Sequence, residues 1–127
     1  MHKTRFSLSL LALMGLSSGA LASHAKADCQ DAMTQTAMNI CSAEAYQAED
    51  ARLNQNYKAL RAKLSAEQKA DLKNVQLTWL KYRDQQCAFE SARYEGGSIY
   101  PLIVSGCLHK LTQQRNAVLS ELLSQPR

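Results

Sequence analysis

The sequence predicts an all-α protein, a small antiparallel three-helix bundle cross-linked by two disulfides. Glycine and proline are absent between residues 28 and 95. Apolar side chains recur there every three or four residues, which is the period of a helix rather than of a strand. The chain also contains four cysteines. An even number of cysteines in a small exported chain favours a framework of two disulfides.

The N-terminal segment has the pattern of a secretory signal peptide, expected to span residues 1–22 with an alternative end at residue 27. A basic start is followed by a short apolar run over residues 8–16, and Ala-x-Ala patterns end at both positions. The run is too short to cross a bilayer, and no lipid-attachment pattern precedes Cys29, so no stable membrane anchor is expected. The mature helical domain, residues 28–127, is expected in the periplasm or outside the cell.

The mature part of the chain is nearly neutral. Residues 28–127 contain twelve Lys and Arg residues against eleven Asp and Glu residues, a net charge of +1. This balance does not indicate a basic nucleic-acid surface, so no nucleic-acid partner is expected. His109 is the one histidine of residues 28–127, and the cysteines are expected in disulfides. No metal site and no cofactor are therefore predicted.

No catalytic pattern stands out. The sequence lacks a nucleophile elbow, a phosphate-binding loop and a dinucleotide fingerprint. Glu44, Glu49 and Asp50 could supply a carboxylate pair for glycoside hydrolysis, but spacing on a helix does not show a cleft. We therefore expect a protein that is not an enzyme and has no catalytic residues.

The first helix is expected to begin between Cys29 and Asn39 and to run to about Lys63. Its second half carries apolar residues separated by four, three and four positions, a helical stripe. These residues are Leu53, Tyr57, Leu60 and Leu64.

The second helix is expected from Ala66 to about Tyr94. Ser65 and Gln68 fit a capping box at its start. Gly96 and the glycine after it are expected to end it, because glycine adopts the left-handed conformation of a C-cap without steric cost. The stripe on this helix comprises Leu72, Val75 or Gln76, Trp79, Tyr82 or Arg83, Cys87 and Glu90.

The third helix is expected to follow Pro101, since proline suits the first turn of a helix. Residues 125–126, Gln-Pro, are expected to end it. Its apolar positions alternate in steps of four and three, a heptad-like seam. The seam comprises Val104, Leu108, Leu111, Arg115, Val118 and Leu122.

The position of the first turn suggests one disulfide. Cys41 and Cys87 each lie 23 residues from Leu64, at the predicted turn. If the first two helices pack as an antiparallel pair about this turn, the two cysteines face each other. This register predicts a Cys41–Cys87 bridge and leaves Cys29 to pair with Cys107. Four cysteines allow three connectivities, and only the first bridge has a register argument.

Two arginines interrupt the apolar stripes. Arg83 and Arg115 occupy positions that point toward the core, and buried arginines need acceptors. The candidate partners are Asp50, Asn54 and Gln76. The first interpretation is a structural polar network that fixes the helix register. The second is a site between the helices in which the two arginines bind an acidic ligand.

The connection between the second and third helices is a candidate partner-binding loop. It consists of Gly96, Gly97, Ser98, Ile99 and Tyr100. Loops on rigid scaffolds often carry binding residues. The alternative is a plain helix stop followed by a tight turn.

Spaced motifs along the whole mature chain resemble those of the LprI-type N-terminal domain family, long described as a domain of unknown function. The similarity extends from Cys29 to about Leu122. Its motifs are Met38-Asn39-x-Cys41, Asp50-x-x-Leu53-Asn54-x-x-Tyr57, Gln76-x-x-Trp79-Leu80-x-Tyr82-Arg83-Asp84-x-x-Cys87, Gly96-Gly97-Ser98, Cys107 and Thr112-x-x-Arg115.

The resemblance implies a small exported helical protein, because members of the family are typically of this kind. The family takes its name from a lysozyme-inhibiting lipoprotein. It implies that the cysteines and the five polar residues of the predicted network are family features. It also implies a protein partner, lysozyme being the leading candidate.

The predicted function is that of an exported binding protein that inhibits lysozyme or a related cell-wall hydrolase by steric binding. One alternative is a periplasmic structural or adaptor module that binds an envelope or secretion partner and has no hydrolase target. A third possibility is a carrier of small acidic ligands that uses Arg83 and Arg115.

Overall fold

The computed structural model describes residues 28–126, and three α-helices account for most of that part of the chain. The helices are α1 (Gln35–Ala62), α2 (Ala66–Ser91) and α3 (Tyr100–Ser124), and a short 3-10 helix covers Ala92–Tyr94. The predicted all-α, three-helix fold is thus confirmed. None of the helices within residues 28–126 is long and apolar enough to cross a membrane. The predicted signal peptide lies outside the described residues.

Local sequence signals set the helix ends. The Thr34 hydroxyl accepts a hydrogen bond from the Ala37 amide and caps α1. Ser65 and Gln68 form the predicted capping box at the start of α2, with distances of 3.3 Å and 3.0 Å for its two hydrogen bonds. Gly96 adopts a φ of 82°, which residues with a Cβ rarely do. The chain therefore turns where the sequence predicts.

Helices α1 and α3 run parallel and pack against each other along their length. Their polar contacts keep a constant register, in which a residue of α1 lies beside the residue 60 positions later. Helix α2 is antiparallel to both and packs mainly against α3. Three hydrogen bonds define the parallel register: Ser42 to Leu102, Asn56 to Asn116 and Lys63 to Leu123.

The core consists of two apolar clusters separated by a polar layer. Trp79 packs against both clusters and joins them. The first cluster comprises Leu53, Leu60, Leu72 and Leu119, and the second comprises Cys87, Cys107 and Leu111. The buried polar residues are Gln76, Arg83, Ser91, Thr112 and Asn116.

The disulfides confirm the expected number of bridges and correct their pairing. The bridges are Cys29–Cys41 and Cys87–Cys107, so the predicted Cys41–Cys87 and Cys29–Cys107 pairings are wrong. The prediction assumed that α1 and α2 pack closely along their length. Instead both helices pack mainly on α3, which brings Cys87 next to Cys107 of that helix. Cys41 then pairs with Cys29, in the segment before α1.

The buried faces also differ from the predicted stripes. At the two ambiguous positions of α2, Gln76 and Arg83 are buried, whereas Val75 and Tyr82 are more than half exposed. In α3 the predicted seam residue Val118 is exposed. The buried face of this helix includes Thr112, Asn116 and Leu119, because α3 contacts α1 on one side and α2 on the other.

The two bridges are expected to contribute unequally to stability. They close segments of similar separation, 12 and 20 residues, so their effects on the unfolded chain are similar. Cys87 and Cys107 are buried, whereas Cys29 is exposed. Replacing Cys87 and Cys107 by Ser should lower the free energy of unfolding by about 2–5 kcal/mol. Replacing Cys29 and Cys41 should cost less, as measured by urea unfolding of the two double variants.

Peptide mapping under non-reducing conditions provides the control. It should recover one cross-linked peptide within residues 28–52 and another that joins α2 to α3. A peptide linking Cys41 to Cys87, or equal destabilisation by the two double variants, would contradict this description.

Candidate functional site

Arg83 lies at the centre of the polar layer and contacts all three helices. The residue is only 6% exposed. Its Nη1 donates to Asp50 Oδ1 of α1 at 3.2 Å and to Thr112 Oγ1 of α3 at 3.4 Å. Its Nε donates to Asp84 Oδ1 of α2 at 2.9 Å. Two carboxylates therefore compensate a single buried cation, as a buried charge requires.

Aromatic rings complete the surroundings of this guanidinium. The Tyr46 and Trp79 ring centroids lie 5.5 Å and 5.4 Å from its central carbon, close enough for cation–π attraction. Burial raises the pKa of the Tyr46 phenol, while the charge of Arg83 acts in the opposite direction. Arg83 is thus fully engaged by the protein itself, which favours the structural interpretation of this residue.

Arg115 is placed differently. Its Nε donates to Gln76 Oε1 at 3.1 Å, and its guanidinium lies 5.9 Å from the Trp79 ring centroid. Burial lowers the pKa of Arg115. Within residues 28–126, no carboxylate forms an ion pair with it. The two arginines therefore share Trp79 as a neighbour but differ in how their charges are compensated.

A cleft of about 440 Å³ separates α1 from α2. It brings together four of the five predicted network residues, and Arg115 lies outside it. Asn54 lines this cleft without a side-chain hydrogen bond to any described residue. The lining residues are Tyr46, Asp50, Leu53, Asn54 and Tyr57 from α1, and Lys73, Gln76, Leu77, Leu80 and Arg83 from α2.

The predicted partner-binding loop is exposed but held by hydrogen bonds. The Gly97 amide donates to the Tyr94 carbonyl at 3.0 Å, and the Tyr100 amide donates to the Gly97 carbonyl at 3.1 Å. Asn39 of α1 donates from Nδ2 to the Ser98 carbonyl at 3.0 Å. The loop is therefore fixed to the start of α1, at one end of the bundle.

An apolar surface that the sequence did not single out adjoins this loop. Phe89 is 80% exposed, and Ile99 within the loop is also exposed. Arg93 lies 4.9 Å from the Tyr94 ring centroid. A shallow groove of about 780 Å³ runs between Phe89, Tyr94 and Ile103. The sequence signal was the position of Phe89, an aromatic residue off the predicted stripe of α2.

We call this surface the loop end of the bundle. It is defined by Phe89, Arg93, Tyr94, residues 96–99 and Ile103. All described cysteines are in disulfides, and no group of three metal-binding side chains occurs in residues 28–126.

Comparison with known proteins identifies relatives. The family model described as "Lysozyme inhibitor LprI" matches residues 25–119. The chain is 38% identical over 109 residues to an uncharacterized protein of Rhizobium meliloti (strain 1021), an alignment that covers 76% of this chain and 78% of that protein. No solved structure matches the chain.

The central role of Arg83 predicts a large effect of its substitution. Arg83→Met removes three hydrogen bonds and leaves Asp50 facing a space without a cation. The free energy of unfolding should fall by about 3 kcal/mol, as expected when a buried ion pair loses one partner. Arg83→Lys should recover only part of this loss, because lysine lacks the planar fork of donors. Urea unfolding followed by circular dichroism measures both effects.

Arg93→Met is the matched control, because Arg93 is also stacked near an aromatic ring but is exposed. Its effect should stay within about 0.5 kcal/mol. Equal stabilities of the Arg83→Met and Arg93→Met variants would show that Arg83 does not hold the helices together.

Proposed function

The chain belongs to the lysozyme inhibitor LprI family, and from this membership we propose that it binds lysozyme or a related cell-wall hydrolase and inhibits it by steric obstruction. The observation that carries the proposal is the match of the family model over residues 25–119. The protein acts as a binding protein and not as an enzyme.

The proposed location is the periplasm or the extracellular space. Two disulfides are compatible with an oxidising compartment, where such bridges form and persist. The secretory pattern of residues 1–22 supports the same location. A cell-wall hydrolase would be encountered there.

We propose the loop end as the surface that covers the hydrolase. Phe89, Tyr94 and Ile99 supply apolar and aromatic groups of the type that contributes most at protein interfaces. Gly96 and Gly97 leave the backbone accessible between them. Exposed apolar and aromatic groups of this kind could cover the substrate cleft of a glycoside hydrolase and close it to a polysaccharide.

The loop end is also ordered before any partner binds. The Asn39–Ser98 hydrogen bond ties it to α1, and the Cys87–Cys107 bridge joins α2 to α3 beyond it. A surface fixed in advance loses little conformational entropy on binding. This order supports the choice of the loop end as the inhibitory surface, because a disordered segment would have to fold when it contacts the hydrolase.

The near-neutral charge of the mature chain sets an expectation for kinetics. A net charge of +1 for residues 28–127 provides little long-range steering toward a charged partner. Apolar contact should therefore dominate, and inhibition should change little between low and moderate ionic strength.

A second candidate function is a periplasmic adaptor that binds an envelope or secretion partner. The exposed apolar residues of α2 favour it, because Val75, Tyr82 and Phe89 repeat every seven residues on a single helix face. Recovery of one stable periplasmic partner, with no hydrolase among the bound proteins, would support the adaptor.

The inhibitor proposal predicts that loop-end substitutions weaken inhibition. Purified oxidised protein is titrated against chicken-type, invertebrate-type and goose-type lysozymes, and the rate of cell-wall lysis is followed. Ile99→Asp and Phe89→Ser should each raise the concentration for half-inhibition by about tenfold or more, as expected for central interface residues.

Leu77→Ser is the matched control, since Leu77 is an apolar residue whose exposure lies between those of Ile99 and Phe89, and it lines the α1–α2 cleft instead. It should inhibit like the unaltered protein. Full activity of all three lysozymes in a large molar excess of unaltered protein would refute the inhibitor proposal. Inhibition that survives both loop-end substitutions would refute the choice of surface.

A further inference from the structure

The surface groove between α2 and α3 presents a cation that forms no ion pair with any carboxylate of residues 28–126. We propose that this groove docks a protein segment in which an Asp or Glu side chain lies beside an apolar side chain, and that Arg115 binds the carboxylate. The groove shares no lining residue with the loop end, and the inference does not depend on lysozyme being the partner.

The main evidence for this ligand is the uncompensated charge of Arg115. The guanidinium is half-buried and donates one hydrogen bond, from Nε to Gln76, while its two Nη groups have no acceptor in residues 28–126. Asp71 lines the adjoining groove but forms no ion pair with it. A partly desolvated cation without a carboxylate is unfavourable. A carboxylate from a partner would relieve that cost through paired, charge-assisted hydrogen bonds.

Arg83 and Arg115 differ in how their charges are compensated. Arg83 is held by Asp50 and Asp84, and no bound ligand is needed to compensate its charge. Arg115 has only a neutral amide and the Trp79 ring. One interpretation of the sequence placed both arginines in a single site for an acidic ligand. In the structure Arg83 is compensated and Arg115 is the available cation.

The guanidinium of Arg115 is also held in place before any ligand binds. The Nε hydrogen bond to the buried Gln76 fixes one edge of the group, and Trp79 lies within cation–π distance. The two remaining nitrogens form the fork that matches a carboxylate in bidentate geometry. A donor pair fixed in this way loses little side-chain entropy on binding.

The side chains that line the groove indicate which group of the ligand should lie next to the carboxylate. The groove has a volume of about 470 Å³ and is lined by Asn74, Val75, Thr78, Trp79, Tyr82 and Arg115. Val75 and Tyr82 are 54% and 52% exposed. An arginine flanked by Trp and Tyr is a typical composition for the centre of a protein interface. An apolar side chain next to the carboxylate would cover these exposed walls.

The extent of the surface favours a protein segment over a small acid. Ligand pockets for small molecules bury most of the ligand surface, whereas the walls formed by Val75 and Tyr82 are each more than half exposed. The apolar stripe continues along α2 to Phe89, seven residues beyond Tyr82. A chain lying along α2 could contact Arg115 and the stripe together.

The fluorescence of Trp79 tests the proposal, because Trp79 is the one tryptophan of the chain and lies in the groove. The probes are two capped tripeptides, leucine-glutamate-leucine and leucine-glutamine-leucine. They have nearly the same shape and differ in charge. The glutamate peptide should change Trp79 emission saturably and bind about tenfold or more tightly than the glutamine peptide. Added salt should weaken the glutamate peptide selectively.

Arg115→Met should abolish the preference for the glutamate peptide, and Arg115→Lys should retain part of it. Arg93→Met should leave it unchanged, since that arginine is stacked near a ring at the loop end. Asp71→Asn should strengthen binding of the glutamate peptide, because it removes a negative charge of the adjoining groove that repels the carboxylate. Thermal midpoints of all variants establish that they remain folded, and Asp71→Asn tests the site while keeping Arg115 intact.

Equal binding of the two peptides, no saturable response to the glutamate peptide, or an unchanged preference in Arg115→Met would overturn the proposal. Tighter binding of N-acetylphenylalanine than of the glutamate tripeptide would overturn the assignment to a protein segment, because it would identify a site for small acids.

Discussion

The buried guanidinium of Arg83 is the interaction on which the rest of the structure depends. Three hydrogen bonds connect it to Asp50, Asp84 and Thr112, one residue from each helix. Burying a charge is costly, and this arrangement offsets the cost only when all three helices are in their native positions. Arg83 therefore selects one arrangement of the three helices in addition to stabilising it. A slide of one helix by a turn would leave a charge buried without partners.

This constraint explains how the surfaces are distributed. Because Arg83 spans the space between α1 and α2, those helices remain apart and a cleft opens between them. Helix α3 contacts both and supplies the common support. The Cys87–Cys107 bridge then fixes α2 to α3 near the loop end. The exposed loop is thus carried by the most constrained part of the bundle, and the groove that contains Arg115 is formed by the same two helices.

The sequence was most informative where the physical signal is local. The capping box at Ser65 and the left-handed Gly96 set chain direction through neighbouring residues alone. The faces of α2 were ambiguous because hydropathy treats arginine as exposed, whereas a paired arginine can be buried. The disulfides were paired wrongly because position in a hairpin does not reveal whether two helices pack closely. The difference between Arg83 and Arg115 depends on which carboxylates surround each, and only the tertiary structure determines that.

Hydrogen–deuterium exchange with and without lysozyme tests most directly whether the loop end is the inhibitory surface. Residues 95–99 are exposed in the free protein, and the amides of Glu95 and Gly97 already donate hydrogen bonds to carbonyls. Burial by a partner would therefore slow exchange most at the amides of residues 96, 98 and 99. We expect slower exchange in this segment with at least one of the chicken, invertebrate or goose types, while exchange of the amides of the α1–α2 cleft stays unchanged. Slower exchange confined to other parts of the chain, or no change with any of the three enzymes, would contradict it.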